Sequence, residues 1–215
     1  MNIPSLPTAL CPNCKKPGSL CICDGLAPVA NRIAVLILQH PQEQDVDLGT
    51  ARLTALHLKN AVLKVGLSWP NLAKALGRDA DPKKWAALYL GSANAAVEAP
   101  GREVVLVDKK GKALADQQTL LGGVEGVIVL DGTWSQAKAI WWRNAWLLKC
   151  RRVILGPTRP SRYGKLRKEP RKDGLATIEA VGLLLSRLEK RPEIENALGA
   201  GFERLLTKYR ALKAA

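Results

Sequence analysis

The sequence predicts an α/β fold: a mostly parallel sheet with helices on both faces, preceded by a small cysteine-rich module. Three observations carry this. Strand-like and helix-like runs alternate along the 215 residues, as βαβ units require. The strand-like runs are continuously apolar rather than alternating, so both of their faces are buried. Four of the five cysteines crowd into one short stretch, "CPNCKKPGSLCICD".

Each element has its own reason. "RIAVLILQH" (32–40) is a short β-branched and leucine run bounded by a proline, hence a buried strand. "LGTARLTALHLKNA" (48–61) reads as a helix and "VLKVGLSW" (62–69) as a second strand. "NLAKAL" (71–76) is a short helix with Asn71 as its cap. "AALYLGS" (86–92) and "EVVLVD" (103–108) are strands, "ADQQTLLG" (115–122) is a helix and "GVIVLDG" (126–132) a strand. A tryptophan-rich helix is expected over 133–149 and a strand over 151–156. Two long helices close the chain, over 175–190 and 193–213. In the tryptophan helix, Trp134, Ala137, Trp141, Ala145 and Leu148 share one stripe, with Trp142 and Trp146 on its flank. Trp141 is assigned to packing. Trp134, at the helix start, is placed to stack on a base or an adenine.

Residues 1–30 form the first module and 31–215 the α/β domain. Cys11, Cys14, Cys21 and Cys23 follow a C-x2-C-x6-C-x-C pattern. Four thiolates at that spacing can close tetrahedrally on one zinc ion, with Lys15-Lys16-Pro17-Gly18 as the turn between pairs. The alternative is two local disulfides, which a reducing compartment and the short loops oppose. Four thiolates leave no open coordination position, so the expected role is structural. Cys150 stands alone and reads as an inert thiol.

The chain carries 33 Lys+Arg against 19 Asp+Glu, a formal charge of +14. Such an excess points to a polyanionic partner, nucleic acid above all, and says nothing of fold. The charge is concentrated: ten basic residues lie between Lys149 and Lys172, opposed only by Glu169. Pro157, Pro160 and Pro170 punctuate this segment, so it is an irregular basic loop of the kind that carries function. No apolar run approaches the ~20 residues that span a bilayer, so no membrane is expected. Met1–Leu10 lacks the charged and apolar regions of a signal peptide, and a cytoplasmic location is expected.

Ligands of parallel sheets sit at the carboxyl ends of the strands. Here those ends are His40-Pro41, Gly91-Ser92, Asp108, Asp131-Gly132 and Gly156-Pro157. Asp131 therefore places a carboxylate at the ligand-binding rim of a basic protein, directly before Trp134. His40 also ends a strand at this rim. His57, on a helix, is expected to serve the core or the surface.

Asp131-Gly132-Thr133-Trp134 matches the D-x-T-W signature of the DTW-domain family, which comprises tRNA-uridine aminocarboxypropyltransferases. The resemblance covers most of the chain. The cysteine cluster is similar to the family's zinc knuckle. "HPQE" (40–43) with "TARL" (50–53) resembles its second motif, and "SRYGKLRKEPRKDGLATIEA" (161–180) its last. Ala51 stands where the family's N-T-G-R-L has glycine, and Ala176 where its last motif has serine.

The resemblance implies a SPOUT-like fold, in which a knot can form, and S-adenosylmethionine as donor substrate. The 3-amino-3-carboxypropyl group would pass to N3 of a tRNA uridine, releasing methylthioadenosine. Backbone groups of Leu90, Gly91 and Ser92, of Leu130 to Thr133, and of Leu155, Gly156 and Pro157 would then hold the nucleoside, with Trp134 beside it. Asp131 is the candidate proton acceptor, with substrate contact or helix capping as its alternatives. Thr177 and Glu179 begin a helix, where they either join the cofactor site or cap. Arg159, Arg162, Lys165, Arg167 and Lys168 would pair phosphates of tRNA, or the arginines a substrate carboxylate. Tyr163 is a further base-stacking candidate. Two competing functions use the same features: a SPOUT-type RNA methyltransferase, and a non-catalytic zinc-bearing RNA-binding protein.

Overall fold

In a computed structural model the chain forms a six-stranded sheet with helices on both faces. The structure describes residues 9–88, 94–156, 159–166 and 174–214. The strands are β1 (Ala34–Gln39), β2 (Ala61–Val65), β3 (Trp85–Leu88), β4 (Val104–Val107), β5 (Gly126–Asp131) and β6 (Arg151–Leu155). The helices are α1 (Ala51–Leu56), α2 (Leu72–Leu76), α3 (Ala95–Glu98), α4 (Gln117–Gly122), α5 (Trp134–Arg143), α6 (Thr177–Glu189) and α7 (Pro192–Ala214).

The strand order is β2-β1-β5-β3-β6-β4. All pairings are parallel except β4 with β6, which is antiparallel. The sheet is thus mostly parallel, as expected, with a reversed strand at one edge. The central strands bury side chains on both faces, which is why their sequences read as unbroken apolar runs. Along β1, Val35 and Ile37 face α6 and α7, while Leu36 and Leu38 face the side carrying α2 and α5. At the other edge, β2 is only half-buried throughout.

Two of the expected helices are shorter, and α3 is not among those expected. α1 is shorter than 48–61, because residue 61 already pairs in β2. The tryptophan helix stops at Arg143, and a 3-10 turn covers Ala145–Lys149. Asn144 makes the break. Its fully buried amide donates to the Ile140 and Leu67 carbonyls and accepts from the Trp69 amide and the Trp146 indole. Four bonds from one side chain outweigh one more turn of helix. The break also re-aims the tryptophans: Trp146 is buried, Trp141 half-buried, and Trp142 is 77% exposed.

The cysteine-rich segment is stitched to the rest. Cys14, Leu20 and Ile22 belong to the same core as α6 and α7. Lys208 and Arg204 of α7 donate to the carbonyls of Cys21 and Asp24.

Candidate active site

Asp131 is the last residue of β5, and Gln39, the last of β1, lies beside it in register. The carboxylate is nine-tenths buried. The Gln39 amide donates to Oδ2 at 2.9 Å, and the Thr177 hydroxyl donates to Oδ1. Two donors from two elements fix the carboxyl plane, yet each oxygen keeps a lone pair for a further partner. Gln39 is itself 3% exposed, and its Oε1 has no hydrogen-bond partner among the described residues. Buried acceptors without partners are uncommon and concentrate at functional sites.

The chain then turns sharply. Gly132 adopts φ +156, and a Cβ there would lie 2.9 Å from the Gln136 Cβ, so only glycine fits. Thr133 caps α5: its hydroxyl accepts from the Gln136 amide, and its own N–H donates to Gln136 Oε1 at 2.6 Å. Capping thus falls to Thr133 and leaves the Asp131 carboxylate free of that task. Gln136 Nε2 reaches Gln42 Oε1 at 3.1 Å, latching the 40–43 segment to the start of α5. Trp134 is 37% exposed, with Lys138 Nζ 5.4 Å over its ring. His40 sits against Gly132, its Nδ1 accepting from the Gln42 amide.

The other motifs converge on this corner. Thr50 is buried and its hydroxyl accepts from the Ile178 amide. Thr177 at the start of α6 is held so that its side chain meets Asp131. Glu179, two residues on, is spent on structure: it accepts from the Ser161 hydroxyl and from the Arg162 and Ala176 amides. That fixes the 161–163 turn and commits the Glu179 carboxylate to protein partners.

Several expected contacts take other partners. The Thr133 N–H is held by Gln136, and the Gly156 N–H donates to the Glu103 carbonyl. Leu130 and Leu155 pair within the sheet. The backbone cradle expected from these residues therefore has two of its donors committed. Tyr163 is a correction: it is 3% exposed, donates to the Leu48 carbonyl at 2.7 Å, and packs edge-on against Phe202, so its ring cannot stack on a base. Arg162 donates to the Gly199 carbonyl and lies against that glycine, bracing α7. Arg159 is exposed and pairs with Glu195 at 3.1 Å. Lys165 is exposed. Leu90, Gly91, Ser92, Pro157, Arg167 and Lys168 lie outside the described residues.

The four sulfurs of Cys11, Cys14, Cys21 and Cys23 lie within 4.8 Å of one another, and none forms a disulfide. Around a zinc ion with ~2.3 Å bonds, tetrahedral sulfurs stand about 3.8 Å apart; Cys11 and Cys23 are 3.7 Å apart. Amide N–H groups of Cys14 and Asn13 lower the Cys11 thiol to about 6, as a thiolate ligand requires. Burial raises Cys14 and Cys23, a cost that a bound cation would cancel. The donor set fits a metal ion.

Lys16 lies within the turn of this cluster, and its sequence context does not single it out. It is 6% exposed and donates to the carbonyls of Asp47 (2.6 Å) and Val46 (3.3 Å). Burial lowers its pKa to about 8, while Cys14, Asp47 and Asp131 draw it back up. Lys16 therefore ties the cysteine cluster to the segment entering α1. A "KKPG" turn gives no sign of that, because burial of one lysine of a pair is decided by tertiary packing.

A mostly parallel α/β sheet with a carboxylate fixed at its carboxyl rim has that carboxylate where sheets of this class hold their ligands. The family model for the DTW domain matches residues 8–210, and the chain belongs to that family. It is 31% identical over 194 residues to tRNA-uridine aminocarboxypropyltransferase 2 of Drosophila melanogaster, covering 87% of this chain and 70% of that protein. It is 27% and 28% identical to proteins of the same name from Macaca fascicularis and Mus musculus, covering 87% of this chain and 59% of each. No solved structure matches it.

Proposed function

We propose that this protein transfers the 3-amino-3-carboxypropyl group of S-adenosylmethionine to N3 of a uridine in tRNA. The observation that carries this is Asp131, a carboxylate fixed by Gln39 and Thr177 at the rim, where the D-x-T-W segment meets the segments resembling the family's second and last motifs. The names of its relatives supply the reaction class.

In this reading Asp131 accepts the N3 proton as N3 bonds to the carbon on sulfur. The carbon–sulfur bond breaks and its electron pair stays on sulfur, which leaves as neutral methylthioadenosine. Gln39 and Thr177 hold the carboxylate in the orientation that proton transfer needs. Trp134 offers an aromatic face beside the reacting nucleoside. Lys16 supplies positive charge close to Asp131, suited to an anionic group of the donor or to the uridine oxygen as charge develops. Among the basic residues, Lys165, Arg167 and Lys168 pair tRNA phosphates.

The cysteine cluster holds a structural zinc ion, and residues 1–30 form its module beside the catalytic domain of 31–215. The architecture is SPOUT-like. Supporting that is a strand order in which β5 lies between β1 and β3. No helix among the described residues is long and apolar enough to cross a membrane.

The test is nucleoside mass spectrometry of tRNA incubated with the protein and S-adenosylmethionine labelled in its carboxyl group. A labelled aminocarboxypropyluridine is expected. Unlabelled methylated nucleoside in its place would establish the methyltransferase reading, and unchanged tRNA the pure binding one.

A further inference from the structure

Trp142 is 77% exposed, the most exposed tryptophan among the described residues. A large aromatic in water is unusual enough to ask what covers it. Trp142 ends a row of three. Trp134, Lys138 and Trp142 are spaced i, i+4, i+8 on α5, so they share one face of the helix. Ile140, on the opposite side, and Ala137, on the flank, fill the core. The row spans ~12 Å at 1.5 Å per residue. Its first member is the rim tryptophan three residues from Asp131, so the face is continuous with the site.

Its charge selects the partner. From Gly132 to Leu166 there is no acidic residue, and eight are basic. Lys138 sits over the Trp134 ring, and the Arg152 guanidinium lies 5.6 Å from the Trp141 ring centre. Aromatic rings interleaved with cations, without carboxylates, suit single-stranded nucleic acid: bases stack on the rings while phosphates meet the cations. A face built for a second protein copy would not need a segment this rich in positive charge, and two like-charged faces repel.

We propose that the Trp134–Lys138–Trp142 face of α5 binds tRNA, with Trp142 stacking on an unpaired nucleotide that flanks the target uridine. This rests on the tRNA reading above and adds a contact remote from the chemistry. Trp142 touches no reacting atom, so it contributes to tRNA affinity and to the choice of uridine context.

The experiment compares wild type with Trp142→Ala and Trp142→Phe in the full chain. It measures tRNA dissociation constants at several salt concentrations, and kcat and KM for tRNA. Trp142→Ala should weaken tRNA binding about tenfold, within the range of one lost base–aromatic stack. KM should rise by a similar factor with kcat unchanged. Trp142→Phe should recover most of the affinity. The salt slope should stay constant for Trp142→Ala and fall by about one for Lys138→Ala. Wild-type affinity in Trp142→Ala would overturn the proposal. So would an unchanged affinity accompanied by loss of a dimer in sedimentation, which would assign the face to a second copy. If wild type yields no modified nucleoside while Trp142→Ala still weakens tRNA binding, the catalytic reading fails and the RNA face stands.

Discussion

Asp131 is the one acidic side chain between Gly126 and Lys168, and it is bound on both oxygens by groups that arrive from other elements. Its position at a strand end was legible, because an apolar run ending in a carboxylate can only be a sheet rim. Its holders were not: Gln39 is 92 positions away and Thr177 is 46. Asp131→Asn keeps the shape and removes the proton acceptor. It should lower the single-turnover rate by about 10² to 10⁴ while tRNA affinity stays within twofold of wild type, as read by filter binding. Thr177→Val removes only the hydroxyl donor. It should reduce kcat less than Asp131→Asn, and Thr177→Ser should restore it. His57 gives a residue-scale prediction of stability. Burial lowers its pKa, and its Nδ1 lies 2.7 Å from the Leu53 carbonyl. Below the ordinary value of about 6.5 the unfolded chain takes up a proton that folded His57 resists, so stability must fall as pH drops from 7 toward 5. Urea midpoints across that range should decline for wild type, and less steeply for His57→Gln.

Among the elements, the strands of the sheet were the most legible, since residues buried on both faces leave a continuous apolar signature. The direction of β4 was not, because "EVVLVD" reads the same in either orientation. The end of α5 was hidden for a different reason. Asn144 interrupts a good helical pattern only because Leu67 and Trp69, more than 70 residues earlier, come to meet its side chain. Asn144→Ala should therefore leave several buried groups unpaired. A loss of about 2–4 kcal/mol is expected in chemical denaturation, larger than for any substitution on the exposed face of α5. α7 carries a comparable constraint. A Cβ at Gly201 would lie 2.0 Å from His57 Nε2, and one at Gly199 would press on Arg162. Gly201→Ala meets a buried ring and should lower the thermal midpoint sharply. Gly199→Ala meets the end of a flexible side chain and should cost less. The misassigned Tyr163 belongs here too: a tyrosine inside a basic loop suggests a stacking ring, but Leu48 and Phe202 claim it from the core side.

For the whole molecule, charge and cysteine spacing are the most informative features of the sequence. A charge of +14 concentrated in one segment points to a polyanion, and four cysteines at close spacing point to a metal. Neither feature reveals that the cysteine cluster is tied to the segment before α1. Lys16 leaves the cysteine cluster and holds the carbonyls of Val46 and Asp47, while Gln42 and Thr50 on either side contact α5 and α6. Removing the metal with a chelator should therefore loosen more than the first 30 residues. Hydrogen exchange should speed up over 43–50 as well as over 11–23, and elemental analysis of reduced, untreated protein should return close to one zinc per chain. The central claim is that Asp131 and the rim around it perform aminocarboxypropyl transfer to a tRNA uridine. It is tested most directly by incubating tRNA with carboxyl-labelled S-adenosylmethionine and either wild type or Asp131→Asn, then analysing the nucleosides. Labelled aminocarboxypropyluridine with wild type, and at least a hundredfold less with the variant at equal tRNA occupancy, is the predicted result. Equal label with both proteins, or none with wild type, would contradict it.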